Sequence, residues 1–581
     1  MLDRQTDRQT DRQTGYPSVD KPWLKYYSKE VINTQPDECT IYENLLRNNR
    51  DYPQDIALNY LGRKYIYKEL FENIDKTAAA FLNAGVREKE IVTIALPSIP
   101  EALYCVYALN KIGAVANMIH PMAGKNETIN YINEVKSRVV VIFDGAYKTI
   151  AESIEETSAE LVIVASPGDS LSFALKIAYS LKVKKPNLDG ITFIGWKSFI
   201  DGGKGIKVNT YKKDCHSMAL ISHTGGTTGD PKGVMCSDVN CNSLMWQILC
   251  NFEYERQEIC MSVLPPFVNY SLVESMMGML SAGIEVVLIP DYKPYKFAKY
   301  VRKYHPNEIL SIPAYWEALL SIKGIEKENF SCFKHLFYGG ESMSAEMEAE
   351  INRLLATCGA KTELCKGIGA TEMVAGATTS YVECNPPESV GIPMAKTDCK
   401  IVVPGTTEEI FYNEEGEICF SGDTLMLGYY ENVDATNEVV KKHEDGKRWL
   451  HTGDIGYMDT EGIIFVTGRI KRIIMTKDHN GQVTKMFPDR IEKVISAHPA
   501  VELCCVVGVK DKDRINHPIA FVVLKNGLEM DGVIKDIIDH CKNNLPNYMI
   551  PEEIVIKKEF PHTSRGKVDY RVLEKETQKT P

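Results

Sequence analysis

From about Asp37 onward the apolar positions switch repeatedly between the period of a strand and that of a helix. Residues 56–60 and 64–67 predict a short hairpin around Gly62. Leu70, Ile74, Ala78 and Phe81 then recur at spacings of three and four, the stripe of a helix, and Gly85 ends it. Residues 91–96 predict a buried strand, 100–112 a helix, and 139–143 and 161–164 further strands. The rhythm continues through 219–222, 285–289, 309–311 and 335–338. Strands alternating with helices predict an α/β domain with a largely parallel sheet and helices on its faces.

The texture changes near Ser389. Short strands at 400–403, 417–421 and 463–466, separated by Gly-rich turns, predict a β-rich subdomain. After the charged stretch 468–472 comes a last block: helix 490–497, strands 501–509 and 519–523, helix 533–544 and strand 553–557. That is enough for a small α+β domain. A chain of 581 residues is also too long for one core, so division is expected on size alone.

Composition narrows the classes. Hydrophobic residues make up 44% and charged residues 25%, as in an ordinary globular enzyme. A net charge of -11 argues against nucleic acid as a main partner, while leaving room for a local basic pocket. The 16 cysteines form no CxxC pair and no zinc-spaced cluster, and Cys504 and Cys505 read as strand core. So many unpaired thiols suit a reducing compartment, and a cytoplasmic location is expected. Residues 3–14 repeat DRQT three times with no apolar stretch behind them, which reads as a disordered tail and not a signal peptide. No run reaches the roughly 18 apolar residues of a membrane-spanning helix. Residues 171–185 are amphipathic and end in lysines. An ordinary surface helix or hairpin is the simpler reading, and a membrane-surface role the alternative.

The candidate chemistry begins at Thr224-Gly225-Gly226-Thr227-Thr228-Gly229-Asp230-Pro231-Lys232-Gly233-Val234. The run follows a predicted strand. Its glycines let backbone N–H groups approach a ligand, its threonine hydroxyls can donate to phosphate oxygens, and Lys232 adds a compact charge. It is not a Walker A loop, because Lys232 precedes Gly233 and not Ser or Thr. On composition alone, a polyphosphate cradle and a Gly-rich hairpin turn are equally good readings.

The order of the run resembles the phosphate signature of the adenylate-forming superfamily, which includes acyl-CoA synthetases, luciferase-like enzymes and peptide-synthetase adenylation domains. Other motifs follow in the family's order. They are Tyr65-Ile66-Tyr67-Lys68-Glu69-Leu70, Gly113-Ala114-Val115, Gly339-Gly340-Glu341, Gly369-Ala370-Thr371-Glu372 preceded by Ile368, Trp449-Leu450-His451-Thr452-Gly453-Asp454, Gly468-Arg469, and Pro561-His562-Thr563-Ser564-Arg565-Gly566-Lys567. The resemblance spans roughly residues 37–575. It implies a large N-terminal domain of stacked α/β sheets with a β-rich subdomain (37–471, binding ATP and the acid) and a small mobile α+β lid (472–581), after an N-terminal tail (1–36).

The resemblance also implies a reaction and roles. A carboxylate attacks the α-phosphate of ATP and pyrophosphate leaves; a thiol then attacks the acyl-adenylate and AMP leaves. Thr224 to Gly229 and Lys232 hold the phosphates, and Gly339, Gly340 and Glu341 border the adenine. Ile368, Gly369 and Ala370 carry Thr371, which donates to the α-phosphate, and Glu372, a Mg²⁺ ligand of the hard-oxygen kind that ion prefers. Asp454 accepts from the ribose hydroxyls and Arg469 binds ribose or phosphate oxygens. Lys567 reaches the carboxylate and α-phosphate as a permanent cation. Without the motifs around them these would read as a helix-start residue, a turn residue and a surface lysine. The hinge falls after Gly468-Arg469-Ile470-Lys471, where Arg472 stands in place of the usual Asp or Lys, and a charged, solvated pivot is expected.

Leu264 to Ser271 aligns with the wall of the acyl pocket, so Phe267, Val268 and Tyr270 are pocket candidates. Val268 offers no counter-charge to a substrate ammonium, which disfavours an α-amino acid. Met276, Met277 and Met279 read equally well as pocket or helix core. A fatty or aromatic acid is expected, with ATP, Mg²⁺ and coenzyme A. Between Arg472 and Pro488 the chain carries an extra polar stretch, Lys477-Asp478-His479-Asn480-Gly481, beside the family's thiol tunnel. A carrier protein as acceptor is therefore the alternative to CoA. A non-catalytic nucleotide binder is disfavoured by the retained Lys567, Glu372 and Asp454.

Overall fold

The computed structural model describes residues 14–182, 186, 188, 192–224, 231–472, 474–477, 483–486, 488–510, 516–525, 532–562 and 568–577. Two large sheets organise the N-terminal part. In the first, Leu364–Lys366, His335–Tyr338, Glu308–Ser311, Ile259–Ser262, Glu285–Leu288 and Ile56–Tyr60 run parallel, and Arg63–Ile66 closes the edge as an antiparallel hairpin arm. In the second, Met218–His223, Val115–Met118, Ile91–Ala95, Val139–Phe143, Leu161–Ala165 and Phe193–Gly195 run parallel. At its other edge Gly233–Ser237 and Gly428–Tyr429 add antiparallel strands.

The elements form where the apolar pattern places them. Helix Tyr67–Asn83 buries Leu70, Ile74, Ala78 and Phe81 completely. Leu70, Ile74 and Phe81 contribute about 1.5–3 kcal/mol each when withdrawn from water. The helix stops before Gly85, whose φ of +81° a side chain would resist. Helix Pro100–Lys111 is buried on every side, within a core that both sheets share. Its apolar positions on every face between Ala102 and Leu109 mark an interior helix and not a surface one.

The β-rich subdomain is an antiparallel sheet of Asp398–Val402, Gly416–Ser421, Arg448–Met458, Val440–Lys442 and Ile464–Arg469. Beyond it lies a three-stranded sheet of Val501–Lys510, Asn516–Leu524 and Glu553–Lys557, with helices Pro488–Ser496 and Val533–Asn544 on its own apolar cluster. Strands Ile474–Lys477 and Val483–Met486 pair antiparallel on either side of the polar stretch that begins at Lys477. The rest of that stretch lies outside the described residues.

The DRQT repeat, expected to be a disordered tail, lies outside the described residues up to Gln13. The described part of the 1–36 tail is not a free extension. Trp23 is 1% exposed, the Tyr27 hydroxyl donates to the Pro393 carbonyl at 2.7 Å, and the Ser18 hydroxyl donates to Glu409 at 2.7 Å. Isolated aromatic anchors in a polar stretch have no period, so nothing in the pattern announced them. No helix among the described residues is long and apolar enough to cross a membrane.

Candidate active site

The run that begins at Thr224 connects the two arms of a β-hairpin. Strands Met218–His223 and Gly233–Ser237 are its arms. Thr224 closes the neck: its N–H donates to the Lys232 carbonyl at 3.0 Å, and its hydroxyl accepts from the Lys232 N–H at 3.1 Å. Gly225, Gly226, Thr227, Thr228 and Gly229 lie outside the described residues. The Lys232 ammonium sits over the Tyr429 ring, 5.1 Å from its centre. The Tyr429 hydroxyl donates to Glu372 Oε1 at 2.6 Å. Burial and the adjacent carboxylate together raise the Tyr429 hydroxyl well above its ordinary pKa, so it is a donor at neutral pH.

Glu372 stands on a tightly built loop. The Ala370 N–H donates to the Ala375 carbonyl at 2.8 Å, and Val374 has φ +63° and ψ −61°. The Ala375 N–H returns to the Met373 carbonyl at 2.8 Å, which closes a γ-turn of the strained, positive-φ kind. A β-branched residue held there is a cost that the surrounding structure must offset. Gly369 is required for the closure: a Cβ there would lie 1.9 Å from the Ala375 carbonyl oxygen. From below, Glu274 Oε1 accepts from the Gly376 N–H at 2.8 Å. Burial pushes the Glu274 carboxyl up to about 8, so it is mostly neutral at pH 7.

A short segment ties these parts together. The Met426 N–H donates to the Glu372 carbonyl at 2.8 Å and the Leu427 N–H to the Met235 carbonyl at 2.9 Å. Arg448 donates to the Met426 and Leu427 carbonyls at 3.2 and 3.1 Å. Met426 to Tyr429 thus touches the phosphate hairpin, the Thr371-Glu372 loop and the start of the strand that bears Asp454.

That strand, Arg448–Met458, places Asp454 directly opposite Arg469. Arg469 Nε meets Asp454 Oδ1 at 2.8 Å; the Asp454 side chain is 6% exposed and that of Arg469 55%. Beside them runs a buried polar chain. His443 Nε2 lies 3.0 Å from His451 Nε2, His451 Nδ1 lies 2.8 Å from Glu417 Oε2, and the Gly453 N–H donates to Glu417 Oε1 at 3.1 Å. Burial raises the Glu417 carboxyl, but the His451 ring and the backbone donors outweigh it and leave the group below its ordinary pKa. Burial and His451 push the His443 imidazole down to about 4. Sequence reading missed Tyr429, Glu417 and His443. The available signal was a Tyr after Gly428, while Glu417 and His443 join His451 of the Trp-Leu-His-Thr-Gly-Asp motif only in the fold and have no spacing of their own.

In the stretch expected to border adenine, the Gly339 N–H donates to the Ser311 carbonyl at 3.2 Å, Gly340 has φ +83°, and Glu341 is exposed. The Tyr270 ring stands 3.8 Å from where a Gly339 Cβ would be, so Tyr270 borders that stretch. Phe267 is 8% exposed and packs on the His120 ring with centres 4.5 Å apart; Val268 is half-buried. Met276, Met277 and Met279 are fully buried in the main core, which decides their double reading for packing. Thr371, Ile368 and Ala370 are half-buried on the loop that bears Glu372.

Lys567 lies outside the described residues; His562 and Val568, which flank its loop, pair as an antiparallel bridge. Arg472 departs from the solvated pivot expected of it. Its side chain is 17% exposed and pairs with Asp489 at 2.6 Å and Glu492 at 2.5 Å, and it donates to the Val506 carbonyl at 3.2 Å. A guanidinium presents five donors in a fixed fork, and here three acceptors of the small domain satisfy it.

Known proteins resemble the chain over most of its length. The profile described as "AMP-binding enzyme" matches residues 45–430, and "AMP-binding enzyme C-terminal domain" matches 490–567. The chain is 26% identical to a long-chain-fatty-acid–CoA ligase of Bacillus subtilis (strain 168), over 96% of this chain and 98% of that one. It is 27% identical to a probable 4-coumarate–CoA ligase 1 of Dictyostelium discoideum, over 90% and 92%. Its fold matches the o-succinylbenzoate coenzyme A synthetase of Bacillus subtilis solved with ATP and magnesium, with a TM-score of 0.74 at 21% identity, covering 93% of this chain and all of that one. A profile matching two-thirds of the chain, on the fold described above, places this protein in the AMP-binding enzyme family.

Proposed function

We propose that this chain is an AMP-forming acyl-CoA ligase that activates a fatty or aromatic carboxylic acid with ATP and passes the acyl group to coenzyme A. The observation that carries the reading is the line Lys232–Tyr429–Glu372, which brings three separate stretches of sequence to one point. A cation beside an oriented carboxylate is the pair that a magnesium-polyphosphate needs. The hard oxygen of Glu372, fixed by Tyr429, fits a magnesium ion, which when bound supplies positive charge to the phosphate oxygens.

The protein's own groups account for the rest by positioning and charge. Thr224 and Lys232 fix the base of the phosphate hairpin. The Thr371 hydroxyl donates to the α-phosphate as the acid's carboxylate attacks it and pyrophosphate departs. Asp454 accepts from the ribose hydroxyls and Arg469 steadies the sugar-phosphate side. Lys567, on the small domain, balances the charge that develops between carboxylate and α-phosphate. The small domain then turns about the region of Arg472 so that the CoA thiol can attack the adenylate, with AMP leaving. Residues 37–471 form the adenylating body and 472–581 the lid in this reading. A cytoplasmic setting belongs to it as well, supported by cysteines that are all free thiols.

The test is incubation with ATP, Mg²⁺ and a panel of fatty and aromatic acids, with and without CoA, following AMP, ADP and acyl thioester by mass spectrometry. AMP together with a CoA thioester is the expected result. Adenylate that never becomes a thioester would move the acceptor to a carrier protein, and ADP in place of AMP would overturn the reading.

A further inference from the structure

We propose that helix Phe173–Lys182 docks this protein on an anionic phospholipid surface. The helix follows strand Leu161–Ala165 and leads to the edge strand Phe193–Gly195 of the eight-stranded sheet, so it lies at the margin of the body. Its base is firmly held. The Tyr60 hydroxyl donates to the Pro167 carbonyl at 2.8 Å, the Tyr65 hydroxyl to the Ser170 carbonyl at 2.6 Å, and Arg63 to the Leu171 carbonyl at 3.2 Å. The Ser170 hydroxyl donates to the buried Glu101 at 2.6 Å. Along the helix, the Tyr179 hydroxyl reaches back to Asp144 at 3.3 Å.

What this base presents is apolar. Phe173 is 81% exposed and Leu181 82%, with Leu175 at 43% and Ile177 at 47%. Phe173, Ile177 and Leu181 are four residues apart and form one stripe. A water-facing helix gains nothing from a phenylalanine and a leucine left four-fifths exposed, and such a face normally has an occupant.

Charge identifies the occupant. The whole chain carries -11, yet residues 171–188 contain Lys176, Lys182, Lys184 and Lys185 and no Asp or Glu. An exposed apolar stripe in a stretch of sequence whose only charged residues are lysines is the combination that settles into the headgroup boundary of a bilayer and is drawn there by anionic lipid. A second copy of this chain would bring together two stretches of the same positive charge, which disfavours self-association through this face. Ten residues of helix measure about 15 Å, half the hydrocarbon thickness, so the helix lies in the surface and does not cross it.

The experiment is flotation of the full-length protein with vesicles of phosphatidylcholine alone and of phosphatidylcholine with one-third phosphatidylglycerol. Wild type should float with the phosphatidylglycerol vesicles, less so as salt is raised, and poorly with phosphatidylcholine alone. The double variant Phe173→Glu/Leu181→Glu should bind at least about tenfold more weakly, with an unchanged melting curve, since neither residue is in the core. A Phe173→Trp variant should show a blue-shifted emission on phosphatidylglycerol vesicles only. Failure of wild type to float with either vesicle would overturn the proposal, as would equal flotation of the double variant. A change confined to the molecular mass in light scattering would assign the face to a second copy instead.

Discussion

Arg469 Nε lies 2.8 Å from Asp454 Oδ1 as an ion pair, directly opposite it on the neighbouring strand. The carboxylate proposed to hold the ribose is therefore already ion-paired, and by the arginine proposed to steady the same ligand. The pair pre-orients the acceptor, and a nucleotide must share it. Replacing Asp454 by Ala removes a charged acceptor worth about 1.5–3 kcal/mol per hydrogen bond, or roughly ten- to a hundredfold in ATP affinity. Isothermal titration with ATP checks this, and an unchanged Kd would take Asp454 out of the nucleotide site.

Tyr429 is the link between Lys232 and Glu372. Tyr429→Phe keeps the ring under the ammonium and removes only the hydroxyl that fixes the carboxylate. The Mg²⁺ concentration giving half-maximal adenylate formation should rise severalfold, by about the tenfold that one hydrogen bond to a charged group allows. A magnesium titration that superimposes on wild type would show that Tyr429 does not orient Glu372.

Glu274 supports the loop bearing Thr371 and Glu372, and its buried carboxyl is pushed up to about 8 from an ordinary 4.5. The folded state thus holds a proton that the unfolded chain releases above about pH 4.5. The burden is absent below that pH, grows as pH rises, and is complete above about 8. Glu274→Gln keeps an acceptor for the Gly376 N–H without the charge. The variant should match wild type near pH 4.5 and exceed it increasingly up to pH 8, by an amount on the order of a few kcal/mol. Melting curves across that range decide it; a constant difference at all pH values would mean that Glu274 does not titrate there.

Arg472 neutralises two acidic side chains in a mostly buried setting. Arg472→Ala leaves Asp489 and Glu492 facing each other, at a cost of about 3–5 kcal/mol to the small domain. Denaturant unfolding should show an early transition, partly restored by neutralising Glu492 as well. If the single variant unfolds like wild type, the cluster contributes no stability.

The sequence was most informative where a period or an ordered motif persisted. Helix Val533–Asn544 and strands His335–Tyr338 and Glu553–Lys557 fall where their patterns placed them. Strand Arg448–Met458 was read only as a motif, because its bulged pairing and polar residues break alternation. Trp23 and Tyr27 were invisible because single anchors have no period. Tyr429 was missed for another reason: it becomes informative only when folding brings residues 232, 372 and 429 together, and no local pattern encodes that meeting.

The clamp around Arg472 also constrains how the two parts of the molecule can turn. Its side chain is fastened to Asp489, Glu492 and the Val506 carbonyl, all downstream of it. Rotating ψ at residue 472 would swing those partners away from the guanidinium and break every one of these bonds. Rotating φ would leave them intact, because it moves only the chain before Cα. The fastening therefore behaves as a one-sided swivel: residue 472 travels with the part behind it, and the free torsions lie at its own φ and at the bonds preceding it.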